Sequence, residues 1–265
     1  MNKFLLMSTS ALAIMALPAF AADVVAPEPV ANWTAFHIGV GGGAGYNEYD
    51  AQSAFEISNP WETFIPDFIG IESDEGKFYG FGTIELGFDY QFDNSPFVVG
   101  ILGNYDFNGK SDANANSFAT SEDGFITADI NSELEDTWFV GGRAGFVIHD
   151  TTLVYGLGGY TWAKGKVNSL LGFDFDGAGD DFGFIDKDES VDGFTAGAGI
   201  ETMLTESLSL KLEYRHDFLD SIKWNEAAFD PEWGGVDEDN TSSGEVKFSR
   251  DTLRAVISWR FGMGL

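Results

Sequence analysis

Nine ionisable residues of opposed sign recur in otherwise apolar segments: Glu85, Asp89, Glu201 and Glu213 against Arg143, Lys211, Arg215, Arg254 and Arg260. Within a segment their spacings are even. Glu85 and Asp89 are four apart, Lys211, Glu213 and Arg215 are two apart, and Arg254 and Arg260 are six apart. On an extended chain, even spacing sends every member of a set to the same face. Charges removed from water must be paired or solvated. The chemistry open to this face is therefore mutual: a network of salt bridges that fills an interior, or, with water between, the lining of a narrow polar pore.

Other residues of chemical interest form weaker patterns. The three histidines, His37, His149 and His216, fall on an inward strand position, a turn and a strand end. Acyl hydrolysis needs a nucleophile, a base and an orienting group within reach of one another, and no such spacing is evident along the chain. His37 and His216 are the histidines available to a haem iron, but the strongly acidic connections around them repel haem propionates. The run from Asp174 to Asp181 gathers carboxylates suited to a hard divalent cation. It lacks the spacing and final glutamate of an EF-hand and reads first as a solvated acidic surface. Gly39 to Gly45 has glycine spacings seen in phosphate-binding loops, but no βαβ unit follows it, and glycines that let a tight wall bend fit better. No cofactor is expected.

The elements that carry the nine charges alternate strictly. Ile84, Leu86, Phe88, Tyr90 and Phe92 interleave with Glu85, Gly87, Asp89 and Gln91. Leu208 to Tyr214 interleave with Ser209 to Arg215, and Leu253 to Phe261 with Arg254 to Arg260. A period of two is that of a strand with one apolar and one polar face. Five further segments, near 36–46, 97–107, 137–148, 153–164 and 193–204, complete eight. Each is roughly ten residues long, the length a tilted strand needs to cross a bilayer.

The connections alternate in length. Asp93 to Pro96, His149 to Thr152 and Thr205 to Ser207 are short turns rich in suitable residues. Between them lie four long stretches, roughly 47–76, 108–136, 167–192 and 217–247, which hold about three-quarters of the aspartates and glutamates. Compact soluble domains seldom carry loops beyond about 15 residues. Four in strict alternation with short turns is the pattern of an outer-membrane barrel with periplasmic turns and external loops. The fold expected is thus all-β: an eight-stranded antiparallel up-and-down transmembrane β-barrel.

Composition agrees. Lys3 precedes an apolar run from Phe4 to Leu17, followed by Pro18 and Ala19-Phe20-Ala21, the form of a secretory signal peptide cleaved between Ala21 and Ala22. That divides the chain into a signal peptide at 1–21, a short periplasmic leader at 22–32 and a barrel at 33–265. Cysteine is absent, so no disulfide staples the fold, and the formal net charge of −29 excludes nucleic acid as a partner. Aromatics gather near the strand ends in two girdles. Phe78, Tyr79, Tyr105, Phe107, Trp138, Trp162, Phe194 and Phe218 mark the external interface. Phe88, Tyr90, Phe92, Phe97, Phe146, Tyr155, Trp259 and Phe261 mark the periplasmic one.

Several segments resemble a known family. Gly193-Phe-Thr-Ala-Gly-Ala-Gly-Ile-Glu201 with Leu204-Thr-Glu-Ser-Leu-Ser-Leu-Lys-Leu-Glu-Tyr-Arg215, Arg143-Ala-Gly-Phe146 with Val154-Tyr-Gly-Leu-Gly-Gly-Tyr160, and Trp33-Thr-Ala-Phe-His-Ile-Gly39 are similar to the OmpA-like eight-stranded "porin family" outer-membrane proteins of alphaproteobacteria. The resemblance implies a non-enzymatic structural protein of the outer membrane, delivered by periplasmic chaperones and inserted by the barrel-assembly machinery. Its partners would be outer-membrane lipids and lipopolysaccharide, with divalent cations as candidates at the acidic loops. It also implies an aromatic assembly signal at the C-terminus. Here that residue is Phe261, from which the chain departs by adding Gly262 to Leu265. Two other functional classes stand beside the plugged structural barrel: a narrow porin passing small solutes, and a lipid-modifying hydrolase or haem binder of the same membrane.

Overall fold

Alternating side chains along ten extended segments produce an all-β chain in the computed structural model, which describes residues 32–56, 68–108, 112–121, 124–149, 151–175, 178–230 and 235–262. The strands are β1 (Ala35–Glu56), β2 (Phe68–Gln91), β3 (Phe97–Asn108), β4 (Asp112–Ser121), β5 (Gly124–Ile148), β6 (Thr152–Phe175), β7 (Ala178–Met203), β8 (Leu208–Leu219), β9 (Ile222–Asp230) and β10 (Gly235–Gly262). Eight of them make the wall in the order β1-β2-β3-β5-β6-β7-β8-β10. β1 also pairs with β10, so the antiparallel sheet closes on itself. Closure gives the backbone polar groups of the wall partners within it, which is what a lipid surround requires.

At one end the wall turns tightly. Asn94 and His149 take positive φ in two of these turns, a conformation that asparagine and histidine adopt more readily than most residues. In the third, the Thr205 hydroxyl accepts the Leu208 amide at 3.0 Å. At the other end the four long connections are mostly hairpin. The β1–β2 ladder runs without a break from Ala35↔Asp89 to Glu56↔Phe68, and β6–β7 continues to Phe175↔Ala178. β4 and β9 add one strand each to the second and fourth connections, pairing with β5 and β10 respectively.

The reason is visible in polarity. Near the short turns, large apolar residues such as Ile101, Leu253, Ile257 and Trp259 face outward and charges face inward. Beyond that zone the pattern inverts while the strand keeps its phase. On β10, Arg254, Thr252 and Arg250 point inward, and so do Phe248 and Val246 further along, where Lys247 is now outside. On β1, Tyr49 and Ala51 are buried while Glu48, Asp50 and Gln52 are exposed. The extension has the cross-section of a water-soluble barrel, with Ile130, Leu134, Val167, Val191, Ile222 and Trp224 also buried in it. A bulge between Leu134 and Thr137 shifts the inward phase of β5 at this boundary.

One outward contact recurs at the same level. A tyrosine on the ascending strand of each external hairpin stands opposite an apolar residue: Tyr105↔Trp138, Tyr160↔Phe194 and Tyr214↔Leu253. Each donates its hydroxyl to the aspartate two residues earlier on the descending strand. Tyr105 reaches Asp136 at 2.5 Å, Tyr214 reaches Asp251 at 2.5 Å, and Tyr160 bonds Asp192. In the first hairpin Tyr46 stands opposite Phe78, and the equivalent aspartate position is Gly76, where any Cβ would run into the Tyr46 ring.

Two aromatics expected in the girdles lie elsewhere. Tyr79 and Tyr155 are buried on the inner face, because they share the odd-numbered inward phase of Glu85 and Leu157 on their strands. The girdle is carried by residues such as Phe78, Trp138, Trp162, Phe194, Phe218, Trp259 and Phe261, all exposed on the outer wall.

The inversion predicts a positional contrast. Ile257→Arg, on the outward face of the membrane zone, should lower stability in vesicles by about 2–4 kcal/mol. Gln52→Arg, on the outward face of the extension, should change it by no more than about 0.5 kcal/mol. Equal losses in urea titrations would place both positions in the same solvent and contradict the zoning.

Candidate functional site

The inward phase of the wall brings all nine sequence-derived charges into one interior, together with three others. Among the described residues, the buried carboxylates are Glu85, Asp89, Asp106, Glu201, Glu213 and Asp217, and the buried cations are Arg143, Lys211, Arg215, Arg250, Arg254 and Arg260. Six face six. The interior is neutral while the chain as a whole carries −29.

Nearest the short turns lies a closed ring. Arg143 on β5 grips Asp89 on β2 with two parallel bonds, Nε to Oδ1 at 2.8 Å and Nη2 to Oδ2 at 2.6 Å. Its third nitrogen, Nη1, reaches Glu201 Oε2 on β7 at 2.7 Å. From β10, Arg260 completes the circuit, 3.0 Å from Glu201 Oε1 and 3.0 Å from Asp89 Oδ2. Acid and base alternate on every second strand. That follows from the pleat, which brings side chains of alternate strands to one level in a tilted barrel. Bidentate arginine–carboxylate geometry is the strong form of this contact. The Ser209 hydroxyl adds a bond of 2.6 Å to Glu201 Oε1.

Above the ring, Lys211 on β8 donates to both oxygens of Glu85 on β2. Arg215 Nε bonds Glu213 Oε1 at 2.5 Å, and the Tyr155 hydroxyl donates to Glu213 Oε2 at 2.5 Å. Arg215 Nη1 crosses from β8 to Asn104 Oδ1 on β3, 2.7 Å away and four strands round the wall. Higher still, Arg254 clasps both oxygens of Asp106 at 3.2 and 3.0 Å, with Thr83 and Asn104 on the same carboxylate. Arg250 joins Asp217 at 2.5 Å and spans to Thr137 on β5, again the opposite wall.

Aromatic faces fill what the carboxylates leave. Guanidinium carbons sit over Phe139 for Arg215 at 4.2 Å, Trp33 for Arg260 at 4.7 Å, Tyr155 for Arg143 at 4.9 Å and Phe81 for Arg254 at 5.1 Å. Desolvated, each such contact contributes on the order of 1–2 kcal/mol.

Arg250, Asp217, Asp106, Asn104 and Thr83 belong to this network without having been singled out in the sequence, and Tyr155 joins it although the sequence placed it in the girdle. Phase would have found them: Arg250 is four residues before Arg254, Asp217 two after Arg215, and Tyr155 two before buried Leu157. The histidines stay apart. His37 is buried, with Nδ1 3.7 Å from Glu85 and Nε2 3.6 Å from Asp89. His216 pairs with Asp251 at 2.8 Å on the outer wall, and His149 occupies a turn. Phe261 is on the outer face of β10 opposite Phe36. Ala21, Ala22 and residues 263–265 lie outside the described residues, as do 176 and 177 within the Asp174–Asp181 run. Among the described residues no group of three His, Cys, Asp or Glu could hold a metal ion.

The ring makes a stoichiometric prediction. Asp89→Leu leaves Arg143 and Arg260 one carboxylate short and should lower stability by about 3–5 kcal/mol. Adding Arg143→Met should recover a large part of that loss, since the pair is then removed together. Losses that simply add in urea titrations of the two singles and the double would show that the residues are not coupled.

The chain is similar to known outer-membrane proteins. The 31 kDa outer-membrane immunogenic protein of Brucella melitensis is 28% identical over 270 residues, spanning 94% of this chain and 96% of its own length. The 25 kDa outer-membrane immunogenic protein of Brucella ovis is 29% identical over 119 residues, 34% of this chain and 59% of that protein. Among solved structures, the outer membrane protein OprG from Pseudomonas aeruginosa aligns over 88% of this chain and 100% of its own, at 13% identity and a TM-score of 0.45. Residues 8–261 match the outer membrane protein beta-barrel domain model, and the chain belongs to that family of outer-membrane proteins.

Proposed function

We propose that this outer-membrane protein is structural and closed: its neutral network plugs the lumen, and its acidic hairpins serve envelope integrity or surface interaction at the cell exterior. The observation that carries the proposal is the pair of cross-lumen bonds, Arg215 to Asn104 and Arg250 to Thr137, each joining opposite walls. An eight-stranded cylinder is only wide enough for its own side chains to fill. Side chains that meet at its centre support the reading that no continuous aqueous path runs through it.

The partners proposed follow from the two zones. Lipid and lipopolysaccharide contact the apolar outer wall, chaperones and the assembly machinery act before insertion, and the acidic hairpins meet cations or whatever approaches the surface. The Brucella melitensis relative is named an immunogenic protein. For this chain the corresponding expectation is that antibodies raised against intact cells recognise the external hairpins.

Conductance tests the plug. Purified protein in planar bilayers should show no steady openings, while the double variant Arg215→Ala/Arg250→Ala should open a measurable ion path. Large, stable openings in the unaltered protein would overturn the plug and favour the narrow-porin alternative.

A further inference from the structure

The inner face of β1 does not end where its ladder ends. Ala35 makes the last pairings of that strand, with Gly262 and Asp89. Trp33 stands two residues before it, outside the ladder, in the same odd phase, with 0% exposure. An indole at a strand mouth would ordinarily lie in the interfacial girdle with its N–H in water. Here it is drawn into the lumen instead.

Three contacts with the wall hold it. Its amide donates to Gln91 Oε1 at 3.0 Å, and its carbonyl accepts Arg260 Nη2 at 2.8 Å. The neighbouring Thr34 hydroxyl accepts the Gln91 amide at 3.0 Å. The ring lies against the Arg260 guanidinium, 4.7 Å from its centroid, and joins an apolar cluster with Val98, Leu102, Phe139, Leu153, Tyr155 and Leu157. Its Nε1 is buried without a hydrogen-bond partner. The aromatic that covers Arg260 is thus supplied by the segment leading into β1 and not by the wall.

We propose that Trp33 is a stopper for the periplasmic mouth of the lumen, which keeps water from the Asp89–Arg143–Glu201–Arg260 ring. Removing the indole uncovers Arg260 and opens the lower lumen, while the wall stays paired. The inference rests on the closed-lumen reading, and its test separates the two.

The chain contains no cysteine, so one introduced thiol reports alone. Ser258, buried on the inner face of β10 between Arg254 and Arg260, is the reporter site. Ser258→Cys protein in proteoliposomes is treated with a charged, membrane-impermeant methanethiosulfonate, and heat-modifiable gel migration confirms that each variant is a folded barrel. With Trp33 in place labelling should be slow. Adding Trp33→Ala should accelerate it by at least about tenfold, and Trp33→Phe, which keeps a ring, should not. Gln91→Leu, which removes only the anchor of the Trp33 amide, should accelerate it by about threefold and serves if Trp33→Ala fails to fold. Slow labelling unchanged by Trp33→Ala or Gln91→Leu overturns the stopper and leaves the plugged lumen standing. Fast labelling with Trp33 intact overturns both.

Discussion

Everything in this molecule depends on the width of its wall. Eight strands closed into a cylinder bring inward side chains from opposite sides within hydrogen-bonding distance, so the interior is a packing problem before it is anything else. Water cannot screen charges there. Each guanidinium needs a carboxylate, and among the described residues the six buried acids and six buried bases are matched in number as well as position. The neutrality of the lumen follows from the narrowness of the barrel. It also explains why all five arginines of an otherwise arginine-poor chain lie inside, since a planar fork serves two carboxylates at once where an ammonium serves one.

The same strands solve a second problem above the membrane. In lipid the wall must be apolar outside, and beyond it the wall must be polar outside. The chain meets both demands without breaking the ladder, by exchanging the residue types assigned to the two phases. Tyr49, Val246 and Phe248 are the interior of a soluble fold set on top of Arg250 and Arg254, the interior of a membrane fold. The excess negative charge is left to the outward positions of the extension, among them Glu48, Asp50, Glu72 and Asp74.

Much of this was legible in the chain. The apolar–polar alternation around Glu85, Lys211 and Arg254 identified three strands and their faces, and the alternation of short and long connections identified the barrel. The extension was harder to read because Glu48 to Gln52 looks like acidic loop. Its alternation is as regular as that of the membrane zone, but with the polar residues on the lipid-side phase, and charge density disguised it. Arg250 fell outside the expected strand for the same reason. Tyr79 and Tyr155 misled because an aromatic near a strand end suits either a girdle or a lumen, and only phase separates the two. The ring was beyond sequence altogether: nothing along the chain says that Arg143 will meet Asp89, 54 residues away, and Glu201 at once.

The tyrosine–aspartate contacts at the outer lipid boundary matter for how such a protein can change. Three of the four external hairpins are tied at their base by a bond between neighbouring strands, and the fourth by an aromatic lying across Gly76. Beyond the ties the inward residues share the core of the extension while the outward ones face solvent, so the exterior can change at its outward positions while the ring below keeps its registration.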